Sequence, residues 1–175
     1  MTDRQFDFGS GRADPDTFPV AALQAAAERA IADNARALTD YPGALGHPGF
    51  RRAMARRESA REGVPVDPDH LVLTNGSMQG VTLTAQALQE APGDTVILEE
   101  FSYPGTLSAY RNIGLSLEGI PLCDTGMRLD ALADTLARLD REGRQAKFIY
   151  AISTYQNPTG FVMPRKERLA LIELA

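Results

Sequence analysis

Short apolar runs alternate with amphipathic segments from about residue 70 to the end of the chain. Four runs have the length and composition of buried strands, at 71–74, 95–98, 116–120 and 147–152. The segments between them predict helices at 77–89, 104–112 and about 128–141, the last from leucines at helical spacing. Strands that alternate with helices indicate an α/β fold, with a mostly parallel sheet covered by helices.

The pattern before residue 70 is different. A Gly-, Asp- and Pro-rich arm at 6–18 precedes an alanine-rich helix that is predicted from Pro19 to about Leu38. After a Gly- and Pro-rich loop, a basic helix is predicted at 48–62 and closed by Gly63. At the other end, Pro164 opens a last helix that reaches residue 175 with neither a glycine cap nor a following strand. We therefore expect the chain to be truncated.

Composition narrows the classes of partner. The formal net charge of -5 argues against nucleic acid, and Glu58 and Glu62 lie at helical spacing from the arginines of the basic helix, which we interpret as a solvated or inter-subunit face. No apolar run approaches the roughly 18 residues of a membrane span. The N-terminus is charged and lacks an apolar signal segment, and Cys123 is the single cysteine. Both observations predict a cytoplasmic protein.

Two junctions are candidates for ligand binding. The sequence Tyr-Gln-Asn-Pro-Thr-Gly at 155–160 follows a predicted strand and places the Asn157 amide at its carboxyl end, where open α/β sheets bind ligands. At 74–78, a predicted strand passes through Gly76 into a helix start, which aims backbone N–H groups and the helix dipole at one point. An anion site is one interpretation of Ser77 there, and an ordinary N-cap is the other.

Residues 157–160 resemble the Asn-Pro-x-Gly signature of class I/II aminotransferases, which belong to the fold-type I pyridoxal phosphate (PLP) enzymes. Residues 76–79, Gly-Ser-Met-Gln, are similar to the Gly-Ser-x-Gln of aminoadipate-type members. The resemblance implies the large-domain fold of these enzymes and a PLP cofactor. Its phosphate would be held by Gly76, Ser77 and the Met78 backbone, and its phenolic oxygen by Asn157, which would also contact the substrate.

The resemblance assigns three more residues. Tyr103 would stack on the cofactor ring, Tyr41 would reach the phosphate and substrate of the neighbouring subunit in a homodimer, and Gly11 would let the backbone approach the substrate carboxylate. Packing under a loop is the alternative for each tyrosine. The resemblance also makes the Asn157–Pro158 bond a candidate cis peptide.

Other polar residues receive structural roles. Glu99 and Glu100 are adjacent in a strand and face opposite ways, so we interpret them as structural and not as an acid/base pair. His47 and His70 lie beside Pro-rich turns, and we expect capping or surface roles; no metal site is predicted.

The chain offers only two lysines, Lys147 and Lys166, and neither stands in the context of the Schiff-base lysine of the family. The resemblance places that lysine beyond Ala175, so no catalytic residue is assigned and the chain alone is expected to be inactive. It also divides the chain into an arm, helix and dimer-contact loop at 1–46 and the first part of the large domain at 47–175. The rest of that domain, the partner of the strand at 71–74 and the small C-terminal domain would be absent.

The resulting prediction is the N-terminal portion of a PLP-dependent aminotransferase that moves an amino group between an amino acid and a 2-oxo acid. Three alternatives stay open. The fold also serves PLP-dependent lyases and decarboxylases, it occurs as the effector domain of transcriptional regulators, and the chain could be a catalytically inactive fragment.

Overall fold

A computed structural model describes Gly11 and residues 13–175. The described residues form two units, one that ends at Leu73 and one at Thr74–Ala175. The first unit is helical, with α1 at Val20–Asn34, α2 at Pro48–Glu62 and short 3-10 helices at Pro15–Thr17, Ala35–Thr39 and Pro68–His70. Within the described residues, no helix combines the length and the apolar character that crossing a membrane requires.

Helix α2 has the predicted bounds, and its ends show why. The His47 Nδ1 atom accepts the N–H of Phe50 across 3.2 Å at the start of the helix, which confirms the capping role. At the end, Gly63 has a φ of 71°, a left-handed conformation that favours glycine. In contrast, α1 ends at Asn34, four residues before the predicted Leu38, where the Asn34 side chain donates to the Ala30 carbonyl and the chain tightens into a 3-10 turn.

The basic helix is partly neutralised within its own unit. The Arg51 side chain is only 11% exposed and donates to the Pro68 carbonyl at 2.6 Å and to Asp69 at 2.9 Å. Arg61 pairs with Glu58 at 2.6 Å, as the helical spacing predicts. These contacts offset part of the basic charge, and the interpretation of this face as solvated or inter-subunit stays a prediction.

The predicted strand at 71–74 is wrong in one respect: the segment is not part of any sheet. Leu71 has extended dihedral angles, but the Leu73 N–H donates to the Leu45 carbonyl of a loop, across 3.0 Å. A strand needs a ladder of hydrogen bonds to another strand, and none of the described strands pairs with this segment. The apolar pattern therefore predicts the extended conformation of this segment correctly, but it does not predict whether the segment pairs with another strand.

The second unit is built on three parallel strands, with Thr95–Glu99 (β1) in the middle, Ser116–Ile120 (β2) on one side and Ala146–Tyr150 (β5) on the other. Its elements are α3 at Ser77–Leu88, β1 at Thr95–Glu99, α4 at Pro104–Asn112, β2 at Ser116–Ile120, β3 at Leu122–Cys123, β4 at Gly126–Met127, α5 at Leu129–Arg141, β5 at Ala146–Tyr150 and α6 at Arg165–Leu174. The predicted α/β fold with a mostly parallel sheet is thereby confirmed. The small antiparallel hairpin β3–β4 was not predicted, because two-residue strands leave no periodic signal.

The central strand β1 is buried along its whole length and separates two apolar clusters. Val96 and Leu98 face one cluster, which includes Tyr110 of α4, and Ile97 faces the other, which includes Leu132 of α5. Alternate side chains of a strand point to opposite faces, so α4 and α5 cover opposite sides of the sheet. This packing holds the carboxyl ends of β1 and β5 side by side, and the loops that follow them carry the candidate site.

Candidate functional site

The predicted cofactor residues of the second unit lie on three connections. Gly76, Ser77 and Met78 begin α3, Tyr103 follows β1, and Asn157 follows β5. Because β1 and β5 are adjacent and parallel, Tyr103 and Asn157 lie on loops that leave the sheet on the same side, at the carboxyl ends of the strands. We call this set of loops the ligand edge; it is where parallel α/β sheets place their ligands.

The start of α3 has the features of an anion site. Gly76 has a φ of 79°, and a β-carbon there would meet no atom within 4 Å, so the left-handed backbone and not crowding accounts for glycine. No side chain caps the helix start, and Ser77, its first residue, is exposed. The first N–H groups of a helix have no intrahelical acceptor, so those of Ser77 and Met78 are directed outward with the positive end of the helix dipole. The N-cap interpretation of Ser77 is wrong, since Gly76 is the N-cap.

Two side chains, one before the helix and one within its first turn, hold this turn. The Thr74 hydroxyl donates to the Gly76 carbonyl at 3.0 Å, and the Gln79 side-chain oxygen accepts the Asn75 N–H at 2.6 Å. The second contact joins the first turn of the helix to the loop before it. Together they fix the turn while the backbone donors of the first turn stay available.

Tyr103 is 40% exposed and immediately precedes α4. Its ring lies over Gly105, where a built β-carbon would be 2.6 Å from the ring atom Cε1. The alternative of a tyrosine buried in the core is wrong, since the side chain keeps an exposed face at the ligand edge. An aromatic ring in this position offers a flat apolar surface to a planar ligand.

The loop from β5 to α6 presents Asn157. Its peptide bond to Pro158 is cis, as predicted, and the Asn157 side chain is exposed. Tyr155, two residues before, has a φ of 50° and is 78% exposed. The loop closes on itself through the Gln156 N–H, which donates to the Phe161 carbonyl at 2.8 Å.

Two buried polar residues lie beneath these loops. Glu99, the last residue of β1, is 0% exposed, and Gln156 is 2% exposed. The Gln156 amide donates to the Glu99 carboxylate at 3.0 Å and to the Phe101 carbonyl at 2.7 Å. Burial raises the pKa of the Glu99 carboxyl, and hydrogen bonds from Gln156, Ile152 and Ser102 partly oppose that effect.

The structural interpretation of the two glutamates is confirmed: Glu100 faces the other way, is exposed and accepts the Leu122 N–H at 3.1 Å.

Gln156 was not predicted to matter. Its position between Tyr155 and Asn157 was the available signal for a role in the site. Its burial could not be predicted, because it depends on the chain reversal in the loop.

Arg168 of α6 holds the far side of the same loop and was also missed. Its guanidinium donates to the carbonyls of Met163 at 2.7 Å and Ser153 at 3.0 Å, and to the Thr154 hydroxyl at 3.1 Å. These bonds satisfy backbone oxygens that the irregular loop leaves without a ladder partner. Both ends of the loop that carries Asn157 are therefore fixed by side chains.

The remaining predicted residues lie in the first unit. Tyr41 is fully exposed, so its packing in a polar loop, the alternative interpretation, is wrong. Gly11 is exposed, and a β-carbon there would meet nothing within 4 Å; its role stays a prediction. Residues 1–10 and Arg12 of the predicted arm lie outside the described residues.

One of the two lysines, Lys147, is placed away from the ligand edge. Lys147 lies near the start of β5, at the opposite edge of the sheet, and pairs with Glu90 at 2.6 Å. Lys166 is exposed on the first turn of α6. A cavity of about 310 Å³ in the second unit lies at the other end of the sheet, lined by residues at the amino ends of β1 and β5 that include Asp94, Arg144 and Lys147.

Comparison with known proteins defines the family. Residues 3–175 match the family model "Aminotransferase class I and II", and the chain belongs to this family. It is 32% identical over 161 residues to aromatic-amino-acid aminotransferase 1 of Thermococcus litoralis, which covers 92% of this chain and 38% of that protein. It is 29% identical over 167 residues to the 2-aminoadipate transaminase of Thermus thermophilus, with 95% and 39% covered.

Solved structures agree. An archaeal alanine:glyoxylate aminotransferase superposes with a TM-score of 0.87 at 34% identity, over 95% of this chain and 40% of the other. The α-aminoadipate aminotransferase LysN of Thermus thermophilus, complexed with N-(5′-phosphopyridoxyl)-L-leucine, superposes with a TM-score of 0.81 at 29% identity, over 95% and 40%. The chain thus spans about two fifths of the length of these relatives. The cofactor of the family is PLP.

The residues at the start of α3 and at the ligand edge fit this cofactor. The uncapped start of α3 suits a phosphate, since backbone N–H groups and the helix dipole attract an anion there. The half-exposed ring of Tyr103 suits a pyridine ring. The exposed amide of Asn157 can donate to a phenolate oxygen. The donor set therefore matches the three chemically distinct parts of PLP.

Proposed function

We propose that this chain is the N-terminal, cofactor-binding portion of a PLP-dependent aminotransferase. Three observations carry the proposal together: the uncapped start of α3 and, at the ligand edge, the exposed ring of Tyr103 and the exposed amide of Asn157. The complete enzyme would transfer an amino group between an amino acid and a 2-oxo acid. When bound, PLP supplies the electron sink for that chemistry.

Each residue has a distinct task in this proposal. Ser77 and the backbone N–H groups of Ser77 and Met78 bind the phosphate, and Gly76 provides the left-handed turn that exposes them. Tyr103 covers one face of the ring and holds the ring against the protein. Asn157 donates to the phenolic oxygen and so favours its ionised form. These residues bind and orient the cofactor, and none of them moves the substrate proton.

The proton-transfer lysine is therefore assigned to a part of the enzyme outside residues 1–175. Lys147 is engaged by Glu90 at the opposite edge of the sheet, which supports this assignment. We expect the chain alone to be inactive. A general base has to lie within hydrogen-bond reach of the proton it removes.

The proposal also includes the assembly and its setting. The fully exposed Tyr41 would reach the cofactor phosphate of the neighbouring subunit in a homodimer, and Gly11 would approach the substrate carboxylate. We propose that the enzyme is cytoplasmic and acts in the biosynthesis of amino acids. Its arm, α1 and dimer-contact loop would comprise residues 1–46, and its large domain would begin at residue 47. An exposed phenol is a neutral donor with the reach that such a contact needs.

Binding of pyridoxamine 5′-phosphate to the 175-residue chain tests the proposal. This amine form cannot condense with Lys147 or Lys166, so the measurement reports the ligand edge alone. Calorimetry should show tighter binding than for pyridoxamine, which lacks the phosphate, and Ser77→Ala should weaken it on the order of tenfold. Ser108→Ala, on the exposed surface of α4, is the control. Equal binding of both amines, or equal effects of the two serine substitutions, would contradict the proposal.

One comparison favours a second candidate. The chain is 29% identical over 169 residues to the HTH-type transcriptional regulator YdcR of Escherichia coli, of which it covers 34%. An effector domain of such a regulator would bind the same cofactor at the same edge. Pyridoxamine 5′-phosphate binding is common to both candidates, and amino transfer by a hybrid enzyme, described in the Discussion, separates them.

A further inference from the structure

The fully buried Glu99 carboxylate connects the two loops that carry the proposed ring contacts. Its oxygen Oε2 accepts the Ser102 hydroxyl at 3.3 Å and the Gln156 amide at 3.0 Å, and Oε1 accepts the Ile152 N–H at 3.3 Å. Ser102 directly precedes Tyr103, and Gln156 directly precedes Asn157. We propose that Glu99, acting through Gln156, is a positioning residue that fixes Tyr103 and Asn157 relative to each other for binding the cofactor ring. The inference rests on the proposed function.

Gln156 makes this connection rigid because its amide is bonded at both ends. The nitrogen Nε2 donates to Glu99 and to the Phe101 carbonyl, and the oxygen Oε1 accepts the Thr159 N–H at 2.9 Å and the Thr159 hydroxyl at 2.6 Å. All four hydrogen-bonding positions of the amide are used. Rotating the amide would place its NH2 group against the Thr159 donors and its oxygen against the Glu99 and Phe101 acceptors, so its orientation is fixed by the network.

The arrangement calls for a carboxylate and not only for a polar side chain. All three groups that contact Glu99 are donors, and a carboxylate accepts on both oxygens. In Glu99→Gln, an NH2 group would face either the Ile152 N–H or the Gln156 amide, and in both cases the loop after β5 would lose one of its contacts. The same substitution at Glu100 changes an exposed side chain on the other face, so Glu100→Gln is a matched control.

A positioning role for the ring differs from a general stabilising role in what it changes. The phosphate contacts at the start of α3 involve neither loop, so loss of Glu99 should leave them intact. Loss of Glu99 should therefore weaken binding of pyridoxamine 5′-phosphate while the affinity for inorganic phosphate stays unchanged. A role in folding alone would affect both ligands or neither.

The first measurement is calorimetry on the 175-residue chain with both ligands. We expect Glu99→Gln and Gln156→Met each to weaken pyridoxamine 5′-phosphate binding on the order of tenfold, and the double variant to be no weaker than either single one, because both act through one bond. Ser77→Ala combined with Glu99→Gln should be additive. Additivity of the Glu99 and Gln156 effects, or an equal loss of phosphate affinity, would overturn the inference.

The second measurement needs no ligand. In ¹H–¹⁵N spectra, Glu99→Gln should shift the amides of both loops, 101–103 and 152–160, while Glu100→Gln should shift those near Leu122 only. Shifts confined to the loop after β1 would overturn the inference even if the chain binds the cofactor well. Failure of the wild-type chain to bind pyridoxamine 5′-phosphate would instead contradict the proposed function, so the two failures are distinguishable.

Discussion

The ring of Tyr103 lies directly over Gly105, so close that a β-carbon on Gly105 would be 2.6 Å from the ring atom Cε1. The glycine in the first turn of α4 therefore sets the position of the ring, since any larger residue would push it away. In the proposed site, that position determines how the ring faces the cofactor.

Gly105→Ala should displace the Tyr103 ring and reduce stacking. We expect binding of pyridoxamine 5′-phosphate to the 175-residue chain to weaken by about two- to tenfold, the range of an aromatic pair interaction. Tyr103→Ala should have the same effect and Tyr103→Phe, which retains the ring, a smaller one. If Gly105→Ala binds like the wild type while Tyr103→Ala does not, the glycine does not position the ring.

Glu99 should make stability depend on pH. Burial raises the pKa of its carboxyl above the usual value near 4.5, so the folded state binds this proton more tightly than the unfolded state. The contribution of Glu99 to stability is then greatest below that value and falls as the pH rises toward the raised pKa of the folded state. Above both values it stays constant.

Denaturant unfolding of the wild type and Glu99→Gln across the acidic range measures this effect. The free energy of unfolding of the wild type, relative to the variant, should decrease as the pH rises above about 4.5. Glu100→Gln keeps Glu99 and should retain the slope of the wild type. A relative stability that increases with pH would mean that the hydrogen bonds to the carboxylate outweigh its burial.

Asn157 is expected to favour the ionised phenolic oxygen of the cofactor. The test uses a hybrid enzyme, in which residues 1–175 replace the matching portion of the Thermococcus litoralis relative. Asn157→Ala should raise the apparent pKa of the cofactor's visible absorbance change by about one unit, the value of one hydrogen bond to a charged group. Asn112→Ala, at the exposed end of α4, is the control. An unchanged titration would remove Asn157 from the site.

Tyr41 is predicted to act across the dimer, and mixed dimers can show it. Hybrid enzymes with Tyr41→Phe and with Asn157→Ala are each expected to be impaired. After random exchange of subunits, half of the dimers are mixed, and each of these regains one intact site, which gives about a quarter of the wild-type activity. Mixing without a gain in activity would show that Tyr41 serves its own subunit or none.

The sequence predicted elements with strong local signals and missed features that depend on distant contacts. The bounds of α2 follow from the His47 cap and Gly63, which are local. The segment 71–74 is apolar and extended, but pairing needs a neighbouring strand that the described residues do not include. Gln156 is buried only because its loop folds back onto the end of β1.

The candidate site divides in the same way. The junctions at Gly76 and Asn157 could be singled out from the predicted elements beside them, whereas the cofactor roles of Gly76, Tyr103 and Asn157 come from the resemblance to the family and stay predictions. The network beneath them could not be predicted, since Glu99 and Gln156 are 57 positions apart in the sequence and meet through the parallel pairing of β1 with β5. Long-range polar contacts leave no periodicity for a sequence pattern to reveal.

Amino transfer itself tests the central claim most directly. We predict that the hybrid enzyme produces 2-oxo acid continuously from an amino acid donor, PLP and 2-oxoglutarate, and that the 175-residue chain under the same conditions produces none. Lys147 and Lys166 can condense with PLP and absorb visible light, as surface amines do. The readout is therefore sustained formation of product and not absorbance. Sustained product from the chain alone, or a folded, PLP-containing hybrid enzyme without amino transfer, would contradict the account.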